Sequence, residues 1–322
     1  MSLRAILLLT AAFSLPCSVV SATPVPPNQI TGIVAFGDSL SDAGNASIAT
    51  LGSQPGAGYA TRTVPGVPFP VGYFTNPQVG GGPAGLWVDQ LAAKLGVADP
   101  SPALAPLGGT NYAIGSAMTG NANPQDMANQ IALFLASNPG GASSSALYTF
   151  WGGANDIFNA QNPVTAADNI ASEIEALAAA GGENFLWLNL PDLGDLPALS
   201  GNPGAAAAAN LASQAFDLEW ASKVSALDAL GINVIGVDVN GLINNIQANP
   251  GAYGLTNVTS ACALTPGCNP NQSLYWDADH PTTEGHALVA DVAFNDVVPE
   301  PSTFLLLGTG ITGLVSLKRK LR

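Results

Sequence analysis

The stretch Ile33-Val34-Ala35-Phe36-Gly37-Asp38-Ser39-Leu40-Ser41-Asp42 begins as an unbroken apolar run and stops abruptly at glycine, acid and serine. An apolar run without polar alternation reads as a strand buried on both faces, the kind found in parallel sheets covered by helices. Residues 30–36 therefore open a series of such strands, continued at 110–114, 146–151, 184–190 and 232–237. Helical patterns fall between them at 85–95, 124–136, 165–180 and 205–230, with a last one at 282–294. Alternation of this kind predicts a layered α/β domain with a mainly parallel sheet. In such sheets ligands bind beyond the carboxyl ends of the strands, so the turns that follow the strands are where chemistry is expected.

Those turns carry reactive groups. Ser39 follows the first strand, Gly115 and Ser116 the second, and Gly152-Gly153-Ala154-Asn155-Asp156 the third. Of the two histidines, one closes the run Asp277-Ala278-Asp279-His280-Pro281. A serine hydroxyl is a poor nucleophile until a base takes its proton, and an imidazole oriented by a carboxylate is suited to that task near neutral pH. Ser39, His280 and Asp277 are the expected nucleophile, base and orienting acid, while Asp279 competes with Asp277 for the last part. Backbone N–H groups near Gly115 and Ser116 and the Asn155 amide are expected oxyanion donors. Asp38 is expected to brace its turn, Asp42 and Asn45 to cap a helix, Asp156 to support the site, and His286 to be structural or at the surface. Trp87, Trp151 and Trp187 read as core or pocket wall, and Trp276 is the best tryptophan to line an acyl site. Residues 52–82, rich in glycine and proline, are expected to cover part of the pocket.

The order of these blocks resembles the GDSL-type branch of the SGNH hydrolase superfamily across residues 33–294. The first block runs from Ile33 to Asn45, the third is Gly153-Ala154-Asn155-Asp156, and the last is Asp277-Ala278-Asp279-His280-Pro281-Thr282. Asn189-Leu190-Pro191-Asp192-Leu193-Gly194-Asp195-Leu196-Pro197 matches a segment common in its lipase and esterase members. The second block departs from the pattern: Asn111-Tyr112-Ala113-Ile114-Gly115-Ser116 has serine where a second glycine is usual. This leaves the backbone donor open between Gly115 and Ser116. The resemblance implies a three-layer αβα sandwich on a flavodoxin-like, five-stranded sheet. It also implies ester hydrolysis through an acyl-enzyme, without metal or organic cofactor, with an oxyanion hole built from the Ser39 N–H, the second-block N–H and Asn155. No Gly-X-Ser-X-Gly elbow is present to support an α/β-hydrolase instead. A carbohydrate O-acetylesterase acting on exopolysaccharide, or a non-catalytic surface or matrix protein on the same fold, are the other readings. For the enzyme, activity is expected to fall below about pH 6 as His280 protonates.

Both ends read as processing signals. Residues 1–22 carry Arg4, an apolar stretch and Val20-Ser21-Ala22, the pattern of a signal peptide; Pro16 before Cys17 argues against a lipidated cysteine. Residues 298–322 begin Val298-Pro299-Glu300-Pro301-Ser302, continue with an apolar run and end in Lys318-Arg319-Lys320-Leu321-Arg322. That segment resembles a PEP-CTERM signal, which implies an exosortase-type processing partner and transient anchoring at the inner membrane before cleavage; an unprocessed anchor is the other reading. The expected catalytic unit is residues 23–297, exported to the cell surface or beyond. In an oxidising compartment its Cys262 and Cys268 are expected to pair as a disulfide. Residues 23–299 hold three basic residues, Arg62, Lys94 and Lys223, against 21 acids, a net of −18. Such a surface repels nucleic acid and favours neutral or cationic esters.

Overall fold

The computed structural model describes residues 29–298. The leader expected at 1–22, and all but the first residue of the segment expected at 298–322, lie outside them. The first strand, β1 (Gly32–Gly37), is parallel to β4 (Ala146–Trp151), β4 to β5 (Asn184–Leu188) and β5 to β6 (Val234–Val237), in the order β1-β4-β5-β6. Their side chains are almost all buried, including Phe36, Phe150, Trp151, Phe185 and Trp187. Helices on both faces explain why these strands show no alternation.

Two groups of helices cover the sheet. In one, α2 (Trp87–Leu95) and α8 (Thr283–Val297) pack on each other and against β1 and β6. In the other, α3 (Met127–Ser137), α5 (Pro163–Ala179) and α6 (Pro203–Ala229) do the same from their own side. The result is the layered α/β domain expected. Helix starts follow local chemistry: Asn162 and Asn202 accept N–H groups of the first turns of α5 and α6, each with proline at the first helical position. Among the described residues, no helix is long and apolar enough to cross a membrane.

The sheet has four strands where five were expected. Residues 110–114 do run beside β1, with Ala35 N–H on Thr110 O at 2.9 Å, Tyr112 N–H on Ala35 O at 2.7 Å and Ile114 N–H on Gly37 O at 3.1 Å. Only an isolated bridge, Ala35 to Asn111, results. On its other side the segment is tied to residues 101–103, and its carbonyls at Asn111 and Ala113 are taken by the Asn45 side chain rather than by a strand. The glycine-rich stretch 52–82 contains a small antiparallel hairpin, β2 (Ala60–Arg62) with β3 (Val71–Tyr73). It rests on a satellite core of Val64, Val71 and Ala105. The helix expected to follow Asp42 is α1 (Asn45–Ala49), and two further helices were not expected: α4 (Ala154–Phe158) and α7 (Val239–Ala248).

Candidate active site

Gly37 ends β1 at φ 147°, and a Cβ there would sit 2.2 Å from the Trp151 carbonyl oxygen. Only glycine lets the chain turn so close to β4. The Gln130 side chain of α3 accepts the Gly37 N–H at 3.0 Å and donates to its carbonyl at 2.8 Å, holding the strand end from outside the sheet. Asp38, fully buried, accepts the Leu40 N–H at 3.0 Å and so tightens the turn, as its sequence context predicts. Burial pushes its carboxyl up to about 7, against the Leu40 hydrogen bond and the His280 charge.

Ser39 Oγ lies 2.9 Å from His280 Nε2, and His280 Nδ1 lies 2.7 Å from Asp277 Oδ2. The three side chains singled out in the sequence therefore form one hydrogen-bonded series, although 241 positions separate the serine from the histidine. Asp277 is fully occupied. Its Oδ1 accepts the N–H groups of Asp279 and His280 at 2.9 and 2.7 Å. Its Oδ2 accepts from His280 Nδ1 and from the Tyr59 hydroxyl at 2.5 Å. Burial alone would raise this carboxyl, yet the His280 hydrogen bond and charge, with Tyr59, hold it well below the carboxylate range. For His280, burial favours the neutral ring, but Asp277, Asp279 and Asp38 together raise its pKa above the ordinary value. Asp279 Oδ1 stands 3.2 Å from Nδ1, farther than Asp277 and more exposed. Asp277, Asp279 and His280 are the one group of three potential cation ligands among the described residues, and Asp277 already has a donor on every lone pair used here.

Asp42 links the first block to the second. It caps α1 through Gly44, Asn45 and Ala46 N–H groups, and its Oδ2 also accepts the Gly115 N–H at 2.8 Å. The second-block donor was left open between Gly115 and Ser116, and of the two it is Gly115 whose backbone proton is bonded to Asp42. Gly115 must be glycine for another reason: a Cβ would press on the Phe74 ring at 2.8 Å. Ser116 follows with φ 65°, a left-handed conformation uncommon for a residue with a side chain. Among the described residues, no acceptor faces the N–H groups of Ser39 and Ser116. Asn155, on α4, donates its amide protons to the Ala117 carbonyl at 3.0 Å and to Asp38 Oδ2 at 3.4 Å, the second a long bond that a substrate oxygen can replace. Asp156 takes the Thr119 N–H and hydroxyl, at 3.0 and 2.8 Å, and so supports the loop that carries Ser116.

Asn45 does not cap α1. It is the first residue of that helix and pins residues 104, 111 and 113 instead. His286 is wholly buried with neither ring nitrogen bonded, and burial pushes its pKa down to about 3. Trp276 is not in the pocket wall; Trp151 and Tyr275 are. Residues 52–82 do not line the pocket either. They back the acid and base: Tyr59 binds Asp277, Phe74 stacks on His280 at 5.0 Å, and Thr75 donates to the Pro281 carbonyl at 3.0 Å. Sequence reasoning missed Tyr59 and Phe74 because an aromatic in a Gly/Pro-rich loop carries no periodic signal.

The pocket is lined by Ser39, Asn155 and His280 together with residues of the loop after β5, α7 and α8. Beside it, Cys262 and Cys268 are joined as a disulfide. The N–H groups of Cys262 and Ala263 hold the carbonyls of Tyr275 and Trp276 at 3.1 and 2.8 Å, just ahead of Asp277.

A family model described as GDSL-like lipase/acylhydrolase matches residues 33–293, and a PEP-CTERM protein-sorting motif matches residues 297–320. Esterase EstA of Pseudomonas aeruginosa is 28% identical, with 88% of this chain and 49% of that protein aligned. A thermolabile hemolysin of Vibrio parahaemolyticus is 26% identical, over 82% of this chain and 63% of the other. The chain spans about half the length of the first curated relatives it matches. A solved lipolytic protein of the G-D-S-L family from Veillonella parvula aligns with a TM-score of 0.45 at 14% identity, over 82% of this chain and 97% of that one.

Proposed function

The chain belongs to the GDSL-like lipase/acylhydrolase family, and from that premise we propose that it hydrolyses carboxylic esters through an acyl-enzyme on Ser39. The observation that carries this reading is the series Ser39, His280, Asp277 at hydrogen-bond distances of 2.9 and 2.7 Å. His280 Nε2 takes the Ser39 proton as Oγ attacks the ester carbonyl. The negative charge that develops on the carbonyl oxygen is met by the Ser39 N–H, the Ser116 N–H and the Asn155 amide. His280 then returns its proton to the departing alkoxide, and a water attacks the acyl-enzyme by the same path in reverse. Asp277 keeps Nδ1 protonated so that Nε2 stays a base, and Tyr59 positions Asp277. Metal and organic cofactors have no part in this scheme.

Charge supports a substrate without negative groups. Arg62, Lys94 and Lys223 are each committed to carboxylates, Asp89 and Asp99, Asp291, and Asp168, respectively. An anionic headgroup would meet no free cation among the described residues. The PEP-CTERM match implies export and processing at a membrane. The finer reading keeps residues 1–22 as a removed leader, 23–297 as the catalytic unit and 298–322 as the segment cleaved by an exosortase-type enzyme, leaving the protein at the cell surface or outside. The test is labelling by a fluorophosphonate probe with parallel ester assays. Wild type is expected to label and turn over, and Ser39→Ala to do neither; an active Ser39→Ala protein would falsify the assignment.

A further inference from the structure

The loop that carries Ser116 continues through Thr119 and Gly120, and a second hollow lies between that loop, α3 and α5. It shares no lining residue with the pocket at Ser39. From α5 it is lined by Asn169, Ser172, Glu173 and Ala176, whose spacings of three and four put them on one face of the helix. Ala128 and Ile131 of α3 add an apolar wall.

Glu173 is only 5% exposed, and neither of its carboxyl oxygens has a hydrogen-bond partner. Burial, with the Asp156 charge adding to it, raises its pKa well above the ordinary value. A buried carboxyl left bare costs free energy in either form, and far more when ionised, so a positive group beside it would remove a standing penalty. Turning the carboxyl toward such a group breaks no hydrogen bond.

The neutral side chains beside Glu173 offer lone pairs. Asn169 Nδ2 donates to the Thr119 hydroxyl oxygen at 3.0 Å and the Ser172 hydroxyl to the Asp168 carbonyl at 2.9 Å, which leaves Asn169 Oδ1 and Ser172 Oγ to accept. Among the described residues, no basic side chain lines the hollow. One unpaired acid among acceptors calls for a ligand with positive charge and several N–H donors. Calcium fits less well, because it takes about six to eight oxygens and Glu173 is the one acid in this lining.

We propose that this hollow binds a small primary ammonium ligand, with Glu173 as counter-ion, Asn169 and Ser172 as further acceptors, and Ala128, Ile131 and Ala176 against its carbon chain. An alkylammonium group carries its charge and its N–H donors on one compact nitrogen, as the ammonium of a lysine does. The site is separate from the ester chemistry and does not depend on that reading.

The experiment is a titration of the full chain with n-butylammonium, n-butanol, tetramethylammonium and calcium, read by calorimetry and by amide NMR. Butylammonium is expected to bind and to shift amides at residues 119–121 and 169–176. Butanol, which lacks the charge, and tetramethylammonium, which lacks N–H donors, are expected to bind about ten-fold or more weakly. Glu173→Gln, nearly the same shape, weakens butylammonium by about ten-fold or more and removes its advantage over butanol. Absence of binding, shifts gathered elsewhere, equal affinity for the three organic ligands, unchanged affinity in Glu173→Gln, or calcium binding at these amides in preference to butylammonium overturns the proposal. Should the variant fail to fold by circular dichroism, the ligand ranking and the shifts in wild type decide it.

Discussion

The two sides of the Ser39–His280 pair are built by different means. On one side, Asp38, Asp42 and Asn155 are tied by hydrogen bonds within and between the segments that follow the strands, and Tyr59 and Asp277 are tied to each other and to His280. On the other, Leu190, Leu193, Val239, Ile243, Leu274 and Val289 present only hydrocarbon. Hydrogen bonds are directional and fix atoms to within a fraction of an ångström, so the polar side decides where reacting groups stand. Hydrophobic packing is non-directional and tolerates exchange of similar volumes, so the apolar side can change what is bound without disturbing the chemistry. Damage to the polar side should lower the rate for every substrate, and damage to the apolar side should reorder substrates.

The largest break in that comparison is at Asp277. Asp277→Asn removes the charge that fixes the imidazole tautomer and is expected to lower kcat by about 10⁴-fold for all acyl lengths alike. Circular dichroism of the same sample separates this from unfolding. Asn155→Ala should follow, with kcat lower by about 10²- to 10³-fold through loss of one oxyanion donor. A change confined to KM would show instead that Asn155 serves binding.

Proton affinity gives a finer probe. The base is the neutral form of His280, and its pKa is raised above the ordinary value of about 6.5. The acidic limb of kcat/KM is therefore expected above pH 6.5, higher than the fall below about pH 6 expected from the sequence. In Tyr59→Phe, the Asp277 carboxylate loses one donor and presents more charge to Nδ1. The limb should move to still higher pH while kcat falls by about ten-fold, the lower end of the scale of one hydrogen bond to a charged group. A limb that stays in place would mean that Tyr59 only fills space.

The smallest effect is expected at the second histidine. Burial holds His286 neutral down to about pH 3 with no hydrogen-bond partner. His286→Leu should leave the pH profile unchanged and shift thermal stability by less than about 1 kcal/mol, or raise it, since no partner is stranded by the change. A shifted limb would place a second titrating group in the reaction.

The parts of this arrangement that sequence made legible are those where one residue type has one use. Gly37 before Ser39, Asp277 three residues before His280, and Asn155 after two glycines each carry a local reason for their identity, and all three lie within the same site. What stayed hidden depends on partners far along the chain. Nothing near Gly115 reveals that Asp42 takes its N–H, and nothing near Tyr59 reveals Asp277, 218 positions away. The segment 110–114 has a strand's composition and a strand's hydrogen bonds to β1, but Asn45 claims carbonyls that a further strand would need. The hairpin at 60–73 was masked by Pro65, Pro68 and Pro70, which interrupt any alternation.

The phenol of Tyr59 on Asp277 also bears on transplantation. Residues 274–282 form a short segment bearing both titrating groups, an attractive module to graft onto another serine hydrolase. Such a graft would carry the acid and the imidazole and leave behind the hydroxyl that tempers them, supplied by a hairpin from the opposite half of the chain. The recipient would inherit the right atoms at the wrong basicity, and its designer would need to import a donor for the outer lone pair as well.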